Sequence, residues 1–123
     1  MKKSEAQEQT ALFQWAEMQK GKYPELQLMF AIPNGGSRHV LEAVNLKKQG
    51  VKAGVPDICL PVARVGFNGL YIELKIKGGR VKANQKEWID ELNNQKYKAV
   101  VCYGFEESKE VILDYIIRHK EEK

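Results

Sequence analysis

Gly54-Val55-Pro56-Asp57 and Leu70-Tyr71-Ile72-Glu73-Leu74-Lys75-Ile76 are the stretches on which the reading of this chain turns. Each opens or lies within an apolar, β-branched run, Val55–Val62 and Leu70–Ile76. Gly66 and Gly69 fall between the runs, so the two read as the arms of a β-hairpin. Residues two apart on a strand share a face. Glu73 and Lys75 therefore stand together, with Ile72, Leu74 and Ile76 on the other face. Charged groups on a strand in the core of an α/β domain are costly unless they are paired or bind something. Asp57, at the mouth of the partner strand, is placed to share an ion with Glu73. Pairing counted outward from the turn does not set the two directly opposite, so a bulge or splayed strand ends are expected. A buried salt bridge, Glu73–Lys75 or Asp57–Lys75, is the structural alternative for the same residues.

Working outward, the remaining elements fall on either side of this hairpin. Ser4-Glu5-Ala6-Gln7 has the form of a capping box and starts a helix to about Gln19. Leu26–Ile32 is a short apolar run ending at Pro33-Asn34-Gly35-Gly36, read as a strand and turn. Arg38–Gln49 has helical spacing, closed by Gly50. After the basic turn Lys77-Gly78-Gly79-Arg80 come a helix over Asn84–Asn94, a strand over Ala99–Tyr103 and a last helix over Ser108–Arg118. The order is α-β-α-β-β-α-β-α, an α/β fold with a small mixed sheet flanked by helices.

The chain has 123 residues, the size of one domain spanning 1–123, with a net charge of +4. The charge is unevenly spread: residues 34–82 hold nine basic and three acidic side chains, and the rest of the chain is close to balanced. The excess positive charge thus lies in the segment that carries the two acids and the lysine, as suits a polyanionic partner. Cys59 and Cys102 are far apart and lack Cys-x-x-Cys spacing, so they read as reduced core thiols rather than zinc ligands. No apolar run is long enough to cross a bilayer. Met1-Lys2-Lys3-Ser4 leads into a polar helix rather than a signal peptide, so an intracellular, cytoplasmic protein without a membrane partner is expected.

Two helices each carry a polar residue at the head of an apolar stripe. In the first, Glu8 precedes Ala11, Leu12, Trp15 and Ala16; Glu5 is the fallback acid there. In the helix after the basic turn, Gln85 precedes Trp88, Ile89 and Leu92. Each alone suits a boundary residue; both together, beside the hairpin acids, suggest a common site.

The strings Pro33-Asn34-Gly35-Gly36, Gly54-Val55-Pro56-Asp57, Tyr71-Ile72-Glu73-Leu74-Lys75 and Gln85-Lys86-Glu87-Trp88 resemble the virus-type replication-repair nuclease (VRR-NUC) family, a branch of the PD-(D/E)xK nuclease superfamily. The resemblance runs in order from Glu8 to about Tyr115. It implies a restriction-endonuclease-like, Holliday-junction-resolvase-like core. It also implies Asp57 and Glu73 as metal ligands, Lys75 as the catalytic lysine, and Glu8 and Gln85 as helical residues completing the site. Homodimerisation and action on branched DNA are further expectations of the resemblance.

The chemistry fits those residue types. Phosphodiester hydrolysis builds charge on phosphate oxygens, and a hard cation such as Mg2+ or Mn2+ on oxygen ligands answers it. The Leu74 carbonyl is a candidate third ligand beside Asp57 and Glu73, and Glu8 a further one. Arg38, Lys77, Arg80, Lys82 and the backbone amides of Asn34, Gly35 and Gly36 are candidate DNA contacts. Two other readings compete: a catalytically inactive DNA-binding module of the same fold, and an α/β interaction domain whose charges are structural salt bridges.

Overall fold

The computed structural model describes residues 3–33 and 40–118. Helix α1 (Glu5–Gln19) is followed by a 3-10 turn (Pro24–Leu28), strand β1 (Phe30–Ala31), helix α2 (Val40–Lys48), strands β2 (Ile58–Leu60) and β3 (Leu70–Lys75), helix α3 (Ala83–Asn94), strand β4 (Lys98–Tyr103) and helix α4 (Phe105–Arg118). The expected capping box closes α1: Gln7 N–H donates to Ser4 Oγ at 3.1 Å, and Ser4 N–H to Gln7 Oε1 at 2.9 Å.

The four strands form one mixed sheet in the order β1-β2-β3-β4, antiparallel except for the parallel β3–β4 pair that α3 connects. Leu70 and Ile72 of β3 and Ile58 and Leu60 of β2 pack with Leu12 and Ala16 of α1 and with Ile112, Tyr115 and Ile116 of α4. The opposite face of β3 carries Tyr71, Glu73 and Lys75. Both faces of β3 are covered, and Ile72 to Lys75 are all buried.

Several expectations need correction. The run Leu26–Ile32 is not one strand. Pro24 sits in the first turn of a 3-10 helix, where its missing N–H costs nothing, and only Phe30–Ala31 pairs with β2. The first arm of the hairpin is shorter than Val55–Val62, because Pro56 and Pro61, which have no N–H to give a ladder, bracket Ile58–Leu60. Helix α4 begins at Phe105 rather than Ser108, whose hydroxyl bonds back to the Gly104 carbonyl at 2.8 Å. On α3 the stripe Trp88, Ile89 and Leu92 is half-buried. Cys59 and Cys102 are free and buried, as expected.

Candidate nuclease site

Asp57 stands opposite Glu73, contrary to the pairing counted from the turn. The β2–β3 ladder pairs Ile58 with Ile72, and the next step outward sets Asp57 against Glu73. The turn itself is closed by an Arg64–Phe67 bridge whose register differs from the ladder by one residue. Three residues, Pro61 to Ala63, lie between ladder and bridge on one arm and two, Asn68 and Gly69, on the other. The extra residue is absorbed around Pro61, where Val62 N–H folds back to the Leu60 carbonyl at 2.8 Å. This offset supplies the bulge-like irregularity that the pairing requires.

Beyond the ladder Asp57 is fixed twice. Its carbonyl accepts from Ile32 N–H at 2.7 Å, and its Oδ2 accepts from Leu74 N–H at 2.8 Å. The loop before it is pressed against α3: Gly54 has φ +92, and a Cβ there would lie 2.9 Å from the Asn84 carbonyl oxygen, a space closed to any side chain. In an extended strand the N–H and C=O of one residue point to the same edge. The Leu74 carbonyl therefore faces the Asp57 side, while the Lys75 carbonyl faces β4 and accepts from Gly104 N–H at 2.9 Å.

Glu73 and Lys75 are 2 % and 6 % exposed. Lys75 Nζ lies 3.4 Å from Glu73 Oε2, while Glu73 Oε1 is buried with no hydrogen-bond partner among the described residues. Burial, with the Asp57 charge added to it, pushes the Glu73 carboxyl up from 4.5 to about 7; the Lys75 ammonium opposes the shift without cancelling it. Burial raises Asp57 as well, against the pull of the Leu74 N–H. A buried carboxylate, a half-buried one beside it and a single ammonium leave the deprotonated pair short of positive charge, a deficit that a proton shared between Glu73 and Asp57 or a bound cation makes up. The donor set fits a hard divalent cation: two carboxylates and a carbonyl, all oxygen. No group of three or more His, Cys, Asp or Glu side chains placed to hold a metal occurs among the described residues, so the two hairpin acids and the Leu74 carbonyl are the donors to consider.

Glu8 is half-buried at the end of the strands that holds Glu73 and Lys75. Its Oε1 accepts from Phe105 N–H at 3.1 Å, so a carboxylate of α1 caps the start of α4. Gly104, with φ +91, leaves room for it: a Cβ there would lie 3.0 Å from that oxygen. Gln85 sits in the first turn of α3, where its Oε1 accepts from Lys82 N–H at 2.9 Å as half of a cap. Lys77, Arg80 and Lys82 are exposed along the turn from β3 to α3. Arg38, Asn34, Gly35 and Gly36 lie outside the described residues.

Where β3 and β4 end, a cleft of about 450 Å³ opens between Glu8, Lys77 and Tyr103. The sequence singles out neither Tyr103 nor Lys3, which also lines it. The place of Tyr103 depends on the parallel register, in which it pairs with Lys75, and no local signal reports that register.

A VRR-NUC domain model matches residues 3–106. Among solved structures, a VRR_NUC domain protein superposes with a TM-score of 0.83 at 32 % sequence identity, covering 98 % of this chain and 93 % of its own. No curated protein matches the chain. No helix among the described residues is long and apolar enough to cross a membrane. With the family model spanning most of its length and a structural neighbour matching it nearly end to end, the chain belongs to the VRR-NUC domain family of nucleases.

Proposed function

We propose that this protein is a Mg2+- or Mn2+-dependent DNA endonuclease, structure-selective rather than sequence-specific, with a restriction-endonuclease-like core. The observation that carries the reading is the buried Glu73 with one oxygen unpartnered, Lys75 on its other oxygen and Asp57 across the strand gap. Burying unpaired charge is expensive, so a fold that keeps two acids there is suited to a cation. Asp57, Glu73 and the Leu74 carbonyl would hold it, with Glu8 at the nearby strand ends as the helical acid of the site. A bound divalent ion supplies neutralisation of the scissile phosphate and a more acidic water.

The chain's own groups do the rest. Asp57 is held in one rotamer by the Leu74 amide, which fixes the donor set in advance. Lys75, enclosed beside Glu73, orients the attacking water and stabilises charge that builds on the phosphate oxygen. Gln85 completes the site from the first turn of α3. Lys77, Arg80 and Lys82, with Arg38 and the amides of Asn34, Gly35 and Gly36, bind the phosphate backbone, so binding weakens with salt. Branched DNA is the favoured substrate and a homodimer the favoured state, since a two-fold protein suits a two-fold junction. Met18 on α1 and Ile117 on α4, 79 % and 54 % exposed, are apolar positions for such contacts.

The test is cleavage of four-way junctions, flaps, single strands and duplexes with Mn2+. Wild type is expected to cut at least one branched form, and Lys75→Ala to bind the same DNA without cutting it. A wild-type protein that cuts none of them overturns the proposal.

A further inference from the structure

We propose that Tyr103 is a stacking platform for one unpaired nucleobase of DNA beside the scissile phosphate, an inference that rests on the nuclease reading above. In the parallel ladder Tyr103 is the partner of Lys75, so its side chain leaves the sheet on the same face as Glu73 and Lys75, one strand spacing away. Lys75 is buried, whereas Tyr103 is 43 % exposed. The other tyrosines of this region, Tyr71 and Tyr97, are engaged with each other edge to face at 5.4 Å. Among the described residues no ring contact engages Tyr103.

The surroundings suit a nucleotide. The cleft of about 450 Å³ that Tyr103 lines also takes in Ile76 and Phe105 as apolar wall and Lys3 and Lys77 as basic groups. That volume falls within the range of about 300–1,000 Å³ common for small-ligand pockets. Lys77 is itself engaged within the protein, and the two acids of the cleft hold the Phe105 amide (Glu8) and stand 3.3 Å from Lys109 (Glu106), so the ring rather than net charge distinguishes this cleft. An aromatic face flanked by lysines is the arrangement that binds single-stranded nucleic acid, with the ring taking the base and the cations the backbone.

Pairing state then becomes what the cleft selects. A base inside a continuous duplex has both faces stacked on its neighbours and offers none to Tyr103. A base at a flap, a fork or an open junction arm offers one. Tyr103 would thus favour DNA whose nucleotide next to the cut is unpaired, and it would do so without reading sequence, because every base has a stacking face.

The experiment uses a splayed DNA with 2-aminopurine at the first unpaired nucleotide, and a continuous duplex with the same label, titrated in EDTA. Wild type and Tyr103→Phe are expected to quench the 2-aminopurine on the splayed DNA. Tyr103→Ala and Tyr103→Thr, the latter β-branched and suited to a strand end, are expected to lose the quench and to bind splayed DNA about 5- to 100-fold more weakly, with duplex binding unchanged. Equal quenching by all four proteins, or an equal loss on both DNAs, overturns the inference. Mn2+ cleavage by wild type is scored separately. Its absence refutes the nuclease reading while the titration still decides Tyr103; its presence with unaltered substrate preference in Tyr103→Ala refutes the stacking role alone.

Discussion

Two charged clusters sit under this hairpin, and they are built to opposite standards. Near the turn, Arg64 bonds through all three guanidinium nitrogens: Nε donates to the Ile116 carbonyl at 3.0 Å, Nη1 to the Ala63 carbonyl at 2.9 Å and Nη2 to Glu25 Oε2 at 2.7 Å. At the other end of the strands, Lys75 stands 3.4 Å from Glu73, one Glu73 oxygen has no partner among the described residues, and Asp57 faces it across the gap. Arg64 ties the hairpin to α4 and to the 3-10 turn, as a satisfied structural ion pair does. The Glu73 cluster is more deeply buried yet less satisfied, and that deficit is what distinguishes a site from a strut.

The largest effect expected from this contrast is on catalysis. Lys75→Ala should lower Mn2+-dependent cleavage about 1,000-fold or more, near 4 kcal/mol of barrier, while thermal unfolding stays cooperative. Arg64→Ala should do the reverse. It should remove about 2–3 kcal/mol of stability through the lost charge-assisted hydrogen bonds, read as a lower urea midpoint, with cleavage per folded molecule unchanged. Loss of folding in Lys75→Ala with activity retained in its folded fraction would make Glu73–Lys75 a second strut.

The next effect is in pH. Glu73 titrates near 7 in the fold against about 4.5 ordinarily, so the fold holds this proton more tightly than the unfolded chain does. Its stabilising contribution is complete below about pH 4.5 and is lost as pH rises through about 7, and the raised Asp57 acts in the same direction. Metal-free wild type should therefore lose on the order of 2 kcal/mol between pH 5 and pH 8 from this site. Glu73→Gln, with no charge to bury, should flatten the slope while abolishing cleavage. A wild-type slope retained in Glu73→Gln would place the titrating group elsewhere.

The smallest effect concerns Gln85, which lies between the two kinds. Its oxygen is committed to the Lys82 amide, so Gln85→Ala should cost about 0.5–1 kcal/mol as a lost cap. As a residue of the site it should also slow cleavage at matched folded fraction. Unchanged cleavage would move it to the structural side of the comparison.

What is legible in the sequence divides along the same line between local and long-range causes. The shared face of Glu73 and Lys75 needs only the two-residue period of a strand, and the elements near them can be read to within a few residues. The position of Asp57 is half legible: the need for a bulge or splayed ends can be read, but a run of β-branched residues does not announce where the extra residue is folded away, at Pro61–Val62. The start of α4 escapes for a related reason. Its first amide is capped by Glu8, a residue 97 positions earlier, where a local reading looks for a cap within a few residues. Leu26–Ile32 resembles a strand because short apolar runs suit either structure; Pro24 settles it as a 3-10 turn.

That the unsatisfied cluster is a cation site is tested, without reference to cleavage, by calorimetric titration of Mn2+ into the metal-free protein at pH 8. Wild type and Arg64→Ala should bind Mn2+ with equal affinity, and Glu73→Gln should lose at least about tenfold, or 1.4 kcal/mol. Equal binding by wild type and Glu73→Gln, or no binding by wild type, would contradict it.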